Sequence, residues 1–231
     1  TKNTAYEIRL SLVGSEMCIR DSICIEPQTT DNRFAAIHKY KDGELITVAD
    51  GVRNSVGFDW HPVTKKMYFS DNGRDWLGDD SPSCELNVVN EEGSFYGYPY
   101  KHSKDVIDPE FGHLIPTIDK KFIDPIAELG PHVAPLGIAF YDGNVFPDKY
   151  QNSVFVALHG SWNRTKKSGY TIVFVKLDND GNYLYQEDFI TGWLSNESAW
   201  GRPVSPFIMK DLSLIHISEP TRLRRISYAV L

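Results

Sequence analysis

Two arginines occupy matching places in this chain: Arg53 in Val52-Arg53-Asn54 and Arg202 in Gly201-Arg202-Pro203-Val204. Each follows a segment built as apolar run, Asp-Gly, apolar run, Gly, spanning residues 34–51 in the first case and 172–192 in the second. Arginine presents a planar, permanently charged fork that matches a carboxylate through parallel hydrogen bonds. The chemistry these positions offer is therefore recognition of an anion. Ser161 offers less, because GSWNR does not match G-x-S-x-G and no base is paired with it in sequence. Asp79, Asp80 and Glu85 carry the oxygen ligands that Ca2+ takes, but DxDxDG spacing is absent. They read as solvated turn acids, with a structural Ca2+ site as the alternative. His38 beside Lys39, His61 in a His-Pro turn, and His102 and His113 in an acidic stretch read as structural or exposed.

Composition bounds what these residues can serve. The chain has 231 residues, 41% hydrophobic, 24% charged and 13% aromatic, which is the make-up of a folded domain. Its 24 basic and 31 acidic side chains leave a net charge of −7, and no Lys/Arg cluster suited to phosphate neutralisation lies in the body of the chain. No nucleic-acid partner is expected. No apolar run reaches about 18 residues, so no membrane span is expected, and the first residues lack a basic region leading into an apolar stretch. Three cysteines make neither a disulfide framework nor a zinc-finger pattern. Cys24 and Cys84 either pair in an oxidising compartment or stay free.

Both ends read as foreign to the protein. One codon spelling of residues 212–222 (LSLIHISEPTR), read on the opposite strand in a shifted frame, gives LVGSEMCIRDS, which is residues 12–22. Residues 226–230 (ISYAV) and 4–8 (TAYEI) are likewise encoded by opposite strands of ATCTCGTATGCCGT. These strings resemble sequencing-library adapters. Residues 1–22 and 212–231 are therefore expected to be translated adapter flanking an insert at 23–211. The insert holds 18 basic and 27 acidic residues, a net of −9, and the basic tail of Arg222, Arg224 and Arg225 falls outside it.

Within the insert, short β-branched and aromatic runs alternate with Gly, Asp, Asn and Pro turns, the pattern of many antiparallel strands. Strands are predicted at 33–39, 45–48, 57–60, 66–70, 137–141, 153–158 and 171–177. Turns with positive φ are predicted at Asp42-Gly43, Asn72-Gly73, Asp142-Gly143 and Asp180-Gly181. A second unit also recurs: VGFDW leads through a turn to MYFS, and LGIAF through a longer one to VFVA. Alternating units of this kind predict an all-β chain of radially repeated four-stranded antiparallel sheets, about three blades of a β-propeller. A β-sandwich is the alternative. Three sheets do not close a propeller ring, so a partial chain of marginal independent stability is expected.

Specific blocks extend the reading. GVRNSVG (51–57), SDNGRDWLGDDSPSCELN (70–87) with GSFYGYPY (93–100), HVAPLGIAFY (132–141), and HGSWNRTKKSGYTIVFVK (159–176) with GRPV (201–204) resemble the soluble glucose and sorbosone dehydrogenases. These are six-bladed propeller enzymes that use pyrroloquinoline quinone (PQQ). The blocks stand in that family's order and cover nearly all of the insert, and HGSWNR favours the sorbosone-dehydrogenase branch. Ser55 stands where the family usually has Pro, and Cys84 lies in a turn usually made of polar residues and Pro.

The resemblance implies a sugar dehydrogenase that passes hydride from a sugar to PQQ with Ca2+ assistance, in the periplasm or secreted, with an electron acceptor as a further partner. It implies PQQ contacts at Arg53, Asn54 and Arg202, further contacts at His132, His159 and Arg164, and Ca2+ on the main-chain oxygens of Gly73 and Arg74. The family's catalytic His belongs to a blade before residue 23 and matches none of the insert's histidines, so the piece is expected to be inactive. The tryptophans read as blade packing, Trp162 also as a sugar-stacking residue. A non-catalytic extracellular propeller module and a calcium-dependent lactonase-type propeller are the rival functions. The lactonase would need carboxylates converging on the channel, where this chain offers Arg53, Arg202 and His159.

Overall fold

The structure is a computed structural model that describes residues 34–209 and 214–220. The chain is nearly all β. Its strands run in order β1 (Ala36–Lys41), β2 (Glu44–Asp50), β3 (Phe58–Trp60), β4 (Met67–Asp71), β5 (Ser83–Val88), β6 (Ser94–Phe95), β7 (Lys101–His102), β8 (Val106–Ile107) and β9 (Ala127–Pro131). The second half adds β10 (Pro135–Tyr141), β11 (Ser153–Leu158), β12 (Thr171–Leu177), β13 (Tyr183–Ile190), β14 (Leu194–Ser195), β15 (Ser198–Ala199), β16 (Gly201–Ile208) and β17 (Leu214–Pro220). Helix is confined to two short 3-10 turns at Gly112–Thr117 and Asp148–Tyr150.

Two four-stranded antiparallel sheets dominate, ordered β3-β4-β5-β9 and β10-β11-β12-β13. One copy of each recurring sequence unit meets in the second of these sheets: LGIAF and VFVA form β10 and β11, and residues 172–192 supply β12 and β13. A third four-stranded sheet is not present among the described residues. There the β1-β2 hairpin takes β6 as a parallel third strand, because the main chain of residues 94–95 lies beside β2. β16 pairs with β17, which lies in the segment read as adapter.

The turns separate two uses of glycine. Asp42 (φ 52°) and Gly43 (φ 92°) close the β1-β2 hairpin with two left-handed residues, as a two-residue turn demands, and Gly181 (φ 88°) serves the β12-β13 connection. Gly73 and Gly143 have no positive φ, contrary to expectation, and are glycine for space. A Cβ at residue 143 would lie 2.6 Å from the Tyr141 ring, and one at residue 73 would lie 3.0 Å from the Ser83 carbonyl oxygen.

The sheets stack face to face in chain order. Ile37, Val48 and Ala49 of the first hairpin pack with Met67 and Phe69 of β4. The opposite face of that sheet, with Tyr68 and Leu86, packs on Val154, Val156 and Val175. The far face of the latter sheet carries an aromatic cluster of Tyr141, Phe146, Phe155 and Phe174. At the seam between the two large sheets the Ser70 hydroxyl donates to the Leu136 carbonyl at 2.7 Å, and the Asp59 carboxylate accepts the Phe140 N–H at 2.7 Å.

Gly57 sits at this seam, where a Cβ would meet the Leu136 carbonyl oxygen and lie 2.8 Å from the Gly137 Cα. Both obstacles are backbone, so neither can rotate away. Gly57→Ala is expected to destabilise the protein by about 1–3 kcal/mol, the usual range for overpacking. The urea midpoint of the full-length protein measures it.

Candidate functional site

The ends of β4 and β5 and the loops that follow β2 and β11 surround a cleft of about 290 Å3. Its construction begins with Asp71, the last residue of β4. The carboxylate accepts the N–H of Arg53 at 2.9 Å and of Asn54 at 2.5 Å, and the Asn72 amide donates to the Asn54 carbonyl at 2.9 Å. The Arg-Asn turn is thereby fixed against the strand end, with both residues on the cleft wall.

Arg53 uses its guanidinium on the Asn72 carbonyl at 3.1 Å and on the Asp75 carboxylate at 3.2 Å. Asp75 also accepts the Asn163 amide at 2.7 Å, which joins the loop after β4 to the loop after β11. Asn163 turns its other side-chain atom, Oδ1, into buried space where it finds no partner. His132, held at φ 58°, also lines the cleft, and its Nε2 lies 2.7 Å from the Gly78 carbonyl. A ring nitrogen facing a carbonyl oxygen must carry the proton, so Nε2 is the donor. Gly73 completes this part of the wall, its N–H on the Cys84 sulfur at 3.5 Å. Cys84 is a buried free thiol whose pKa burial pushes up; Cys24 lies outside the described residues.

Of the eight sequence-selected residues, Arg53, Asn54, Gly73 and His132 meet at the cleft. The side chains of the other four are engaged elsewhere in the protein, His159 Nδ1 lying 3.0 Å from the Pro203 carbonyl of β16. Arg74 pairs with Asp108 and Glu110. Burial works to raise the Asp108 carboxyl, but the His102 ring, Arg74 and the N–H groups of Phe111 and Glu110 outweigh it and hold the group well below the usual carboxylate range. Arg164 donates to the Asp79 carbonyl at 2.9 Å and to the Asp80 carboxylate at 2.6 Å. Arg202 donates to the carbonyls of His159 (3.2 Å) and Gly160 and lies 5.3 Å from the centre of the Tyr170 ring. His159 in turn gives its main-chain N–H to Ala134 at 2.9 Å, and Ala134 lines the cleft. Arg202 therefore sits one residue behind the wall that Arg53 faces. Asp75 and Asn163 were not singled out from sequence as site residues. Each adjoins one that was, Arg74 and Arg164 respectively, and that adjacency was the available signal.

The acids weighed as a structural calcium site are divided. Asp79 and Asp80 hold the Arg164 loop, with the Thr165 N–H on Asp79 at 3.1 Å. Glu85 lies buried across from Asp71 on the neighbouring strand, accepting the Ser103 N–H at 2.7 Å and the Asn87 amide at 2.9 Å. Among the described residues no group of three His, Cys, Asp or Glu side chains is arranged to hold a metal ion.

Burial first, then the Asp71 charge, pushes the Glu85 carboxyl up, and burial does the same to Asp71. A carboxyl with a raised folded-state pKa binds more protons folded than unfolded. The stability it contributes is full below the ordinary carboxylate range, at about pH 4, and is lost as pH rises toward neutrality. Glu85→Gln is expected to raise Tm at pH 8 and to flatten its fall between pH 5 and pH 8. The new amide has an acceptor ready once the Asn87 side chain rotates, since Asn87 Oδ1 is buried without a partner. Thermal melts of both forms across this pH range measure the effect.

Comparison with known proteins places this geometry. The TrAA12-like family matches residues 117–192. An uncharacterized protein of Borreliella burgdorferi is 44% identical over 182 residues, which is 77% of this chain and 46% of that protein. The holo form of the pyranose dehydrogenase PQQ domain from Coprinopsis cinerea superposes with a TM-score of 0.64 at 20% identity, covering 83% of this chain and 61% of that one. The calcium structure of Trichoderma reesei Carbohydrate-Active Enzymes Family AA12 gives a TM-score of 0.60 at 22% identity, covering 74% and 51%. The chain has the fold of these proteins and spans about half the length of the relatives it matches.

Proposed function

We propose that this chain is part of a PQQ-dependent sugar dehydrogenase of six-bladed propeller architecture, in which the cleft at Arg53 holds the cofactor. The observation that carries the reading is the donor set of the cleft. Arg53 uses two of its five N–H donors within the protein, and the rest are available to a carboxylate. Asn163 lines the same cleft, its side chain fixed by Asp75. A tricarboxylate suits the guanidinium. The stacked sheets with inner strands in contact support the propeller, and the likeness to the Coprinopsis cinerea PQQ domain supports the cofactor.

When bound, PQQ supplies an orthoquinone that accepts hydride from the sugar. The chain's own residues orient it. Arg53 and Asn54 take carboxylate oxygens, and Asp75 keeps Arg53 and Asn163 in register. His132, its Nε2 proton committed to Gly78, stays fixed beside them. Arg202 acts as a positioning residue by fixing the His159-Gly160 main chain behind the wall. Gly73 lines the cleft, and the motif resemblance supports Ca2+ on the main-chain oxygens of Gly73 and Arg74. There it would polarise a carbonyl oxygen as a Lewis acid. The sorbosone-type branch, a base contributed from outside this chain, and a periplasmic or secreted site follow from the motif resemblance. An inactive fragment lacking that base is part of the same reading.

Residues 1–22 and 212–231 are read as adapter-derived, on the opposite-strand coding relation between them. Full-length protein loaded with PQQ and Ca2+ is expected to reduce a dye acceptor when given an aldose. Failure with every aldose, in protein shown to bind PQQ, overturns the dehydrogenase reading.

A further inference from the structure

Trp76 and Trp162 meet edge to face, ring centres 5.6 Å apart and planes at 82°, yet remain 68% and 63% exposed. Such a pair leaves at least one indole face open to water. Two features keep it from collapsing onto the protein. Trp76 is held at φ 68°, a left-handed conformation that a bulky side chain adopts only under constraint from its surroundings. The two loops that carry the indoles are also tied together, through Asn163 to Asp75, Arg164 to Asp79 and Asp80, and the Thr165 N–H to Asp79. Contiguous exposed apolar surface on a rigid base marks an interaction site.

The position of the pair identifies its occupant. Trp162 lines the cleft while Trp76 stands outside it, so the aromatic surface continues outward from the cleft mouth. On the loop that carries Trp76, the exposed Asp80 offers a carboxylate held by Arg164 of the Trp162 loop. An aromatic face flanked by a charged acceptor suits a pyranose ring, whose C–H face packs on the indole and whose hydroxyls donate to the carboxylate.

We propose that Trp76 and Trp162 form a stacking platform for the second ring of a saccharide whose reducing-end ring meets the cofactor at the cleft mouth, so that the substrate class is disaccharides or longer. This rests on the sugar dehydrogenase reading and adds the size of the sugar.

The test is calorimetric binding of cellobiose and glucose to the full-length protein without electron acceptor, with dye reduction measured in parallel. Cellobiose is expected to bind about tenfold more tightly than glucose, about 1.4 kcal/mol, within reach of an aromatic contact. Trp76→Ala is expected to bring the ratio of the two affinities close to one, and Trp76→Phe to keep most of it. A wild-type ratio near one, a ratio unmoved by Trp76→Ala, or indoles sealed from acrylamide quenching in the full-length protein overturns the platform. Dye reduction by glucose alongside any of these leaves the dehydrogenase reading standing. A cellobiose preference that Trp76→Ala abolishes, with no sugar reducing the dye, keeps the platform and removes the dehydrogenase.

Discussion

Arg53→Ala in the full-length protein is expected to weaken PQQ binding by roughly ten- to a hundredfold, which corresponds to losing a charged hydrogen bond of about 1.5–3 kcal/mol. The loss has two sources. The planar fork toward the cofactor carboxylate disappears, and the positive charge that faces the Asp75 carboxylate at 3.2 Å no longer offsets its repulsion of a polyanion. Arg53→Lys is expected to fall between wild type and alanine, because it restores the charge without the fork. A titration followed by PQQ absorbance separates the three. Unchanged affinity in the alanine variant removes Arg53 from the cofactor site.

The second large effect lies in the aromatic cluster. Phe155 is fully buried on β11, and its ring lies 4.6 Å from Phe189 and about 6 Å from Tyr150, centre to centre. Neighbouring rings are themselves in contact, with Tyr141 stacked on Phe146 at 4.7 Å, so they cannot move inward to fill a gap without losing contacts elsewhere. Phe155→Ala is expected to destabilise the full-length protein by about 3–5 kcal/mol, the range for a buried phenylalanine whose cavity persists. The urea midpoint should fall with little change in slope. A shift worth under 1 kcal/mol would mean that the cluster repacks.

The strands that were legible in sequence are those whose burial needs no polar group. Ser153–Leu158 and Thr171–Leu177 were predicted with the bounds observed, because their β-branched and aromatic runs fill the space between packed faces. Ser83–Val88 was missed because its buried residues include Glu85 and Asn87, hydrogen-bonded to each other, which break the apolar pattern. Tyr183–Ile190 was legible only as the second run of the 172–192 unit, without bounds, because it is an edge strand, largely exposed, and carries little apolar pattern.

At the site, the Arg53-Asn54 turn, Gly73 and His132 were readable because their local motifs are distinctive. The Asp75–Asn163 bond was not, since it joins residues 88 positions apart. Arg164 reads in sequence as a cofactor contact. A guanidinium has the same fork whether its carboxylate belongs to a cofactor or to Asp80 of the same chain, and only the folded arrangement shows the second.

The most direct test is an absorbance titration of PQQ into the full-length protein with Ca2+ present. One equivalent is expected to bind saturably, and Asn163→Ala is expected to weaken it. Absence of saturable binding at micromolar PQQ would contradict the assignment of this cleft to a quinone.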